Sequence, residues 1–172
     1  MARTMRKTKT AARKTVSRST RAHKTARRPR GKVSARARTA KAKTAPKRQR
    51  FVASHHDPNA FEGGLRRYAK YRDLGIAAAT GGMVRAHVIK FVPPFVPEEV
   101  SKRHYHDVQF QMVYVLKGWM KSEFEGQGAI TMHEGSCWIQ PPKIKHTVLG
   151  YSDDCEVLEI ILPADFATVE LE

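Results

Sequence analysis

From Met83 onward, apolar and polar residues alternate with a period of two. Val84, Ala86 and Val88 fall on one face of an extended segment, with Arg85, His87, Ile89 and Phe91 on the other. Comparable short runs follow at Gln111 to Leu116, Trp119 to Phe124, Ala129 to His133, Cys137 to Gln140, His146 to Leu149 and Glu156 to Leu162. Turn residues bound them, as in Gly126-Gln127-Gly128, Glu134-Gly135, Pro141-Pro142 and Ser152-Asp153-Asp154. Strands this short, punctuated roughly every eight to twelve residues, predict an all-β antiparallel sandwich or barrel. Upstream, Leu65 to Leu74 reads as a lead-in strand, and the Ala-Thr-Gly-Gly stretch ending at Gly82 as a loop. The predicted organisation is a folded β domain over 83–172, a linker and lead-in segment over 51–82, and a tail over 1–50.

Charge sharpens the boundary at residue 50. Twenty of the 32 Lys and Arg residues lie in the first fifty positions, and the first acidic residue is Asp57. The remainder holds 12 basic against 16 acidic residues, so a polycation is joined to a mildly acidic body. All 14 Phe, Tyr and Trp residues lie at or after Phe51, which leaves the tail no large aromatic group to bury. Like charges three and four positions apart oppose a helix there, and Pro29, Gly31 and Pro46 interrupt it, so a disordered basic tail is expected. Its composition resembles that of histone and nucleoid-protein tails. Cations in such a chain bind phosphate backbones by releasing counterions, without reading bases. An organelle transit peptide, which is also rich in Arg and poor in acids, competes with that reading, as does a start codon placed upstream of the true one.

Cys137 and Cys155 form neither a CxxC pair nor a disulfide-rich pattern, which favours a reduced, cytoplasmic chain. No run of 18 apolar residues is present, and no apolar stretch of the secretory type follows the basic N-terminus, so neither membrane spanning nor export is expected.

The chemistry-bearing residues are histidines. His104 and His106 are two apart, so on an extended segment both point to one face. Gln111 has the opposite parity and joins them only if Asp107 to Phe110 turns or bulges. His146, just after Pro141 and Pro142, must arrive by tertiary pairing. Three converging imidazoles are a usual ligand set for Zn, Fe, Ni, Cu or Mn. His87 reads as a core or cavity-wall side chain, His133 as a turn residue, and His55 and His56 as exposed. Trp119, Phe124 and Trp138 read as barrel-lining or core residues, Cys137 as a small buried hydrophobe, and Glu123 and Glu125 as solvent-edge charges.

The run His104-Tyr105-His106, four residues, Gln111, six residues and Gly118 resembles the first motif of the cupins, HxH-(x)4-E-(x)6-G. Gly135, five residues, Pro141 and then His146 resembles the second, G-(x)5-P-x-G-(x)2-H. The resemblance covers residues 104 to about 162. It implies a cupin double-stranded β-helix, or jelly-roll barrel, with one divalent transition metal ion held inside by His104, His106 and His146, with Gln111 in the remaining ligand position. Three features depart from the pattern: Gln111 replaces the usual Glu, Lys143 replaces a Gly, and no Gly precedes the HxH at the usual distance. A neutral amide compensates no charge on a metal, so on this reading Gln111→Glu adds a carboxylate and tightens divalent binding.

The function this implies is binding or oxidation of a small organic molecule at a mononuclear metal, as in dioxygenase-like cupins. Two other classes compete: a non-catalytic small-molecule sensor tethered to nucleic acid by its tail, and sugar isomerisation or epimerisation on a metal-free barrel. A homodimer is compatible with all three. The charge division gives a direct test by fluorescence anisotropy. The full chain should bind DNA duplexes of unrelated sequence about equally, losing on the order of 10³-fold in affinity between about 50 and 200 mM salt, as expected when several phosphates are engaged. A chain beginning at residue 51 should fold and lose that affinity; equal binding by both chains would refute the division.

Overall fold

The protein is described here by a computed structural model that covers residues 48–64 and 66–172. The basic tail over 1–50 therefore lies outside the described residues except for its last three, and Leu65 also lies outside them. In chain order the elements are β1 (Glu62–Gly63), β2 (Ala69–Asp73), α1 (Ile76–Ala79), β3 (Arg85–Phe91), α2 (Pro97–Val100) and β4 (His104–Asp107), followed by β5 (Phe110–Lys117) and β6 (Trp119–Phe124). The chain continues with β7 (Gly128–His133), β8 (Cys137–Ile139), β9 (His146–Tyr151), β10 (Glu156–Leu162) and β11 (Ala167–Glu170).

The strands form two antiparallel sheets, ordered β1-β2-β3-β10-β5-β8 and β11-β4-β9-β6-β7. Successive strands alternate between the sheets at several points, giving the two-sheet jelly roll that the resemblance to cupins implied. One crossing lies between β4 and β5, where Val108 and Gln109 break the strand and carry the chain from one sheet to the other. That break reverses the parity of Gln111 and turns it inward. Another lies at Gly118, whose positive φ of 69° joins β5 to β6. A Cβ at 118 would collide with Ser152 Oγ and Asp154 Oδ1, so the first motif ends on a residue that needs to be glycine.

Alternation decides what fills the core. Val113 and Val115 on β5 and Val157 on β10 meet Met120 and Phe124 on β6 and Val148 on β9, and all are buried. Val100, from α2, is fully buried in the same cluster. Phe91 and Tyr151 close one part of it, with ring centroids 4.6 Å apart. Strand β3 departs from simple amphipathicity, because Ala86 and Val88 are buried on one face and His87 and Phe91 on the other. The lead-in strand read over Leu65 to Leu74 is present as β2, paired with β3 over five residues, while the stretch read as loop begins with the helical turn α1. Period-two reading also passed over β4, β11 and α2, each only four residues long and too short to show a period.

Ile161 lies on β10, flanked on both sides by β3 and β5, and is wholly buried. Ile161→Ala should cost about 2–5 kcal/mol in chemical denaturation. Ile130→Ala on β7, where 45% of the side chain is exposed, should change stability by less than about 0.5 kcal/mol. Similar losses in the two variants would contradict the placement of the core.

Candidate metal centre

Strand alternation sends His104 and His106 to the same side of β4, into the space between the sheets. His104 pairs with His146 across β4 and β9, so two imidazoles meet on adjacent strands. Ring centroids lie 4.3 Å apart for His104 and His146, 5.0 Å for His104 and His106, and 5.2 Å for His106 and His146. The ligand nitrogens all lie within 4.8 Å of one another, and the three residues could hold a metal ion.

The outer hydrogen bonds decide which nitrogen faces inward. His104 Nδ1 lies 2.7 Å from the Lys102 carbonyl and His146 Nδ1 lies 3.0 Å from the Ile144 carbonyl. A carbonyl only accepts, so both Nδ1 atoms carry the proton and both Nε2 atoms keep a lone pair. His106 Nδ1 lies 2.9 Å from Thr168 Oγ1, on the β11 residue paired with it in register. The Gln140 amide nitrogen approaches His146 Nε2 at 3.4 Å, the polarity a lone pair demands, while its oxygen accepts from Trp138 Nε1 at 3.1 Å. This donor set fits a divalent ion: neutral imidazoles, oriented from behind, with a weakly held amide as the group an ion would displace.

Electrostatics agree with the geometry. Burial pushes His104 down to about 3, with the neighbouring His146 adding to the effect. Burial likewise pushes His106 down to about 4, against the pull of the Glu159 carboxylate, and lowers His146. All three are therefore neutral at ordinary pH. The Arg66 guanidinium lowers each of them further.

The cluster opens into a cavity of about 930 Å³ whose wall includes Gln111, His87, Tyr71, Trp138 and Glu159. Gln111 is buried, and its Nε2 donates to Glu159 Oε1 at 2.6 Å. His87 Nε2 donates to Glu159 Oε2 at 2.7 Å. Tyr71 packs its ring 5.3 Å from that of His87. Lys143, at the position of the second motif's glycine, holds the positive φ of 63° that a glycine would adopt freely, and its N–H donates to the His106 carbonyl at 3.1 Å.

The structure thus brings His104, His106 and His146 together, sets Gln111 and His87 in the cavity wall, and leaves His133, His55 and His56 exposed and apart. Phe124 is buried against His146, with ring centroids 6.0 Å apart, whereas Trp119 points outward and is 37% exposed. Cys137 is exposed on the edge strand β8, contrary to its reading as a buried hydrophobe, and both cysteines are free. Sequence reasoning missed Thr168, Gln140, Arg66 and Glu159. Glu159 did leave a signal: it shares inward parity with Val157 and Ile161 in the apolar run Glu156–Leu162, where a charge is out of place unless it has partners.

The depressed histidines predict a sign for the pH dependence of the metal-free protein. A histidine neutral in the fold but able to protonate near 6.5 when unfolded imposes no cost above that pH. It destabilises the fold progressively as pH drops toward its folded value, by up to about 1.4 kcal/mol per pH unit. After chelation, the calorimetric midpoint should be flat above pH 6.5 and fall steadily toward pH 4. A midpoint that rises on acidification would contradict the buried neutral cluster.

Residues 95–161 match the cupin domain family. No curated protein matches the sequence. Among solved structures, the fold is similar to that of the polyketide cyclase RemF from Streptomyces resistomycificus, with a TM-score of 0.57 and 16% identity over 71% of this chain and 87% of that one. It is also similar to oxalate decarboxylase from Lactobacillus farciminis (TM-score 0.51, 14% identity, 66% of this chain and 34% of that one). A third is salicylate 1,2-dioxygenase from Pseudoaminobacter salicylatoxidans (TM-score 0.50, 8% identity, 63% of this chain and 30% of that one). At these identities the likeness speaks for the fold alone. Two motifs in order, two facing sheets and a matching stretch that spans both motifs identify residues 95–161 as a cupin domain.

Proposed function

We propose that this protein binds or oxidises a small organic molecule at a single divalent transition-metal ion held by His104, His106 and His146. The observation that carries the proposal is the convergence of three imidazoles in one cavity of about 930 Å³, two of them fixed with Nε2 unprotonated by backbone carbonyls. That volume suits a small molecule. A bound ion would supply Lewis acidity or a redox couple, and Fe, Mn, Ni, Cu and Zn all accept imidazole donors.

The protein's own groups would do the rest. Lys102, Ile144 and Thr168 hold the imidazoles from behind, so the rings need no reorganisation to receive the ion. Trp138, Tyr71 and Phe166 give the cavity aromatic walls that displace water from a planar or apolar ligand, while Arg66 lends positive potential to the same space. Structures sharing this fold include a cyclase, a decarboxylase and a dioxygenase, so the scaffold alone does not select among reactions.

A second reading, a non-catalytic sensor tethered to nucleic acid by the basic tail, is favoured by one feature. Gln111 stands where an anionic ligand is usual, and loss of that ligand is one route to loss of chemistry. Oxygen uptake with small phenols, diketones and thiols separates the two, since turnover by the metal-loaded protein supports the enzyme and stoichiometric metal without turnover supports the sensor. Among the described residues no helix is long and apolar enough to cross a membrane.

The metal assignment is tested first by elemental analysis of purified variants. His146→Ala should reduce bound metal to well below half of the wild-type content, and His133→Ala, on an exposed residue at the end of β7, should leave it near normal. Equal retention in the two variants would sink the assignment.

A further inference from the structure

We infer that Glu159 on β10, acting through Gln111, supplies the negative charge that holds the divalent ion, taking over from a neighbouring strand the part that an acidic residue at position 111 would otherwise play. This deepens the proposed metal function and rests on it.

Three observations carry the inference. First, the pairing of β10 with β5 brings the two side chains into direct contact, with Gln111 Nε2 donating to Glu159 Oε1 at 2.6 Å. Second, a carboxylate only accepts, so the amide must turn its nitrogen to Glu159. The amide oxygen, which is the better metal donor, is then the atom left to the cavity that Gln111 lines. Third, the second oxygen of Glu159 is held by His87 Nε2 at 2.7 Å, and only 13% of the Glu159 side chain is exposed. The carboxylate is therefore anchored in place. Both oxygens of Glu159 thus accept from donors, Oε1 from Gln111 and Oε2 from His87, the arrangement that suits a carboxylate in its ionised form.

Glu159 is thus a positioning and charge-compensating residue, not a ligand: it orients the amide and balances the ion. The consequence for Gln111→Glu reverses the expectation drawn from sequence. A carboxylate at 111 would stand against a second carboxylate at hydrogen-bond distance, and the two could be accommodated only by sharing a proton, so the pair would carry no more negative charge than before.

The test is Zn²⁺ affinity of the full chain, measured by competition with a chromogenic chelator, together with the thermal midpoint of each metal-free variant. Glu159→Gln should weaken Zn²⁺ by about ten- to a hundredfold, the usual effect of removing a partner that supports a ligand. Gln111→Glu alone should not tighten Zn²⁺ at neutral pH. The exchanged pair Gln111→Glu with Glu159→Gln restores one anion and one amide in reversed order, and its affinity should return to within about threefold of wild type. That recovery is what a merely structural role for Glu159 would not produce, and it decides the matter even if Glu159→Gln alone folds poorly. Wild-type affinity in a folded Glu159→Gln chain, or failure of the folded exchanged pair to recover, overturns the inference while leaving the three-histidine centre standing. Absence of Zn²⁺ binding by the wild type, or equal binding by His146→Ala, overturns the centre and the inference with it.

Discussion

The centre depends on a single cross-strand register, the pairing of His104 on β4 with His146 on β9. A slip of one residue on β4 would turn His104 and His106 away from the cavity together, because side chains alternate faces along a strand. Neighbouring structure fixes the register from both sides. β11 pairs with β4 over four residues, and Thr168 opposite His106 also supplies its hydrogen-bond partner. On the other flank, the turn before β9 is held by the positive φ of Lys143, by its N–H bond to the His106 carbonyl and by the bond from Glu125 N–H to the Lys145 carbonyl. Departure from glycine at 143 therefore leaves the turn conformation intact, at the modest cost of a side chain in the left-handed region.

Burial gives the site its character. Three imidazoles removed from water stay neutral, and neutral imidazole is the form with a lone pair to offer. The same low-dielectric setting would reject the Glu159 carboxylate if it stood alone, and the hydrogen bonds it accepts from His87 and Gln111 oppose that penalty. The polar interior is thus nearly self-consistent: almost every buried polar side chain near the cavity has a named partner, and the weakest of these contacts, 3.4 Å from Gln140 to His146, lies at the nitrogen where an ion would bind.

Much of this was legible in the chain, and the parts that were not share a cause. Period-two runs located β3 and β5 to β10 because each is long enough to alternate or is bounded by Gly, Pro or Asp. Fixed spacings marked His104, His106 and His146 because these ligands sit at defined distances from the turns that deliver them. Glu159, Thr168 and Gln140 belong to no such spacing. Their roles arise from which strands become neighbours, β10 beside β5 and β11 beside β4, and pairings between distant segments leave no local period to read. Strand β3 shows a related blindness. With Ala86 and Val88 buried on one face and His87 on the other, apolarity on both faces hides which one looks into the barrel.

A carboxylate that acts from behind an amide has a different consequence from one that ligates. A ligating carboxylate would neutralise part of an ion's charge at the coordination sphere itself, whereas three imidazoles and an amide are all neutral donors and leave that charge to whatever else approaches. The anion that would stabilise the ion is held by Gln111 and His87 in the wall of the same cavity. Arg66, whose charge is felt by all three histidines, adds to the same positive potential. The cavity wall therefore sets aromatic rings beside both a cation, Arg66, and an anion, Glu159, around the three imidazoles.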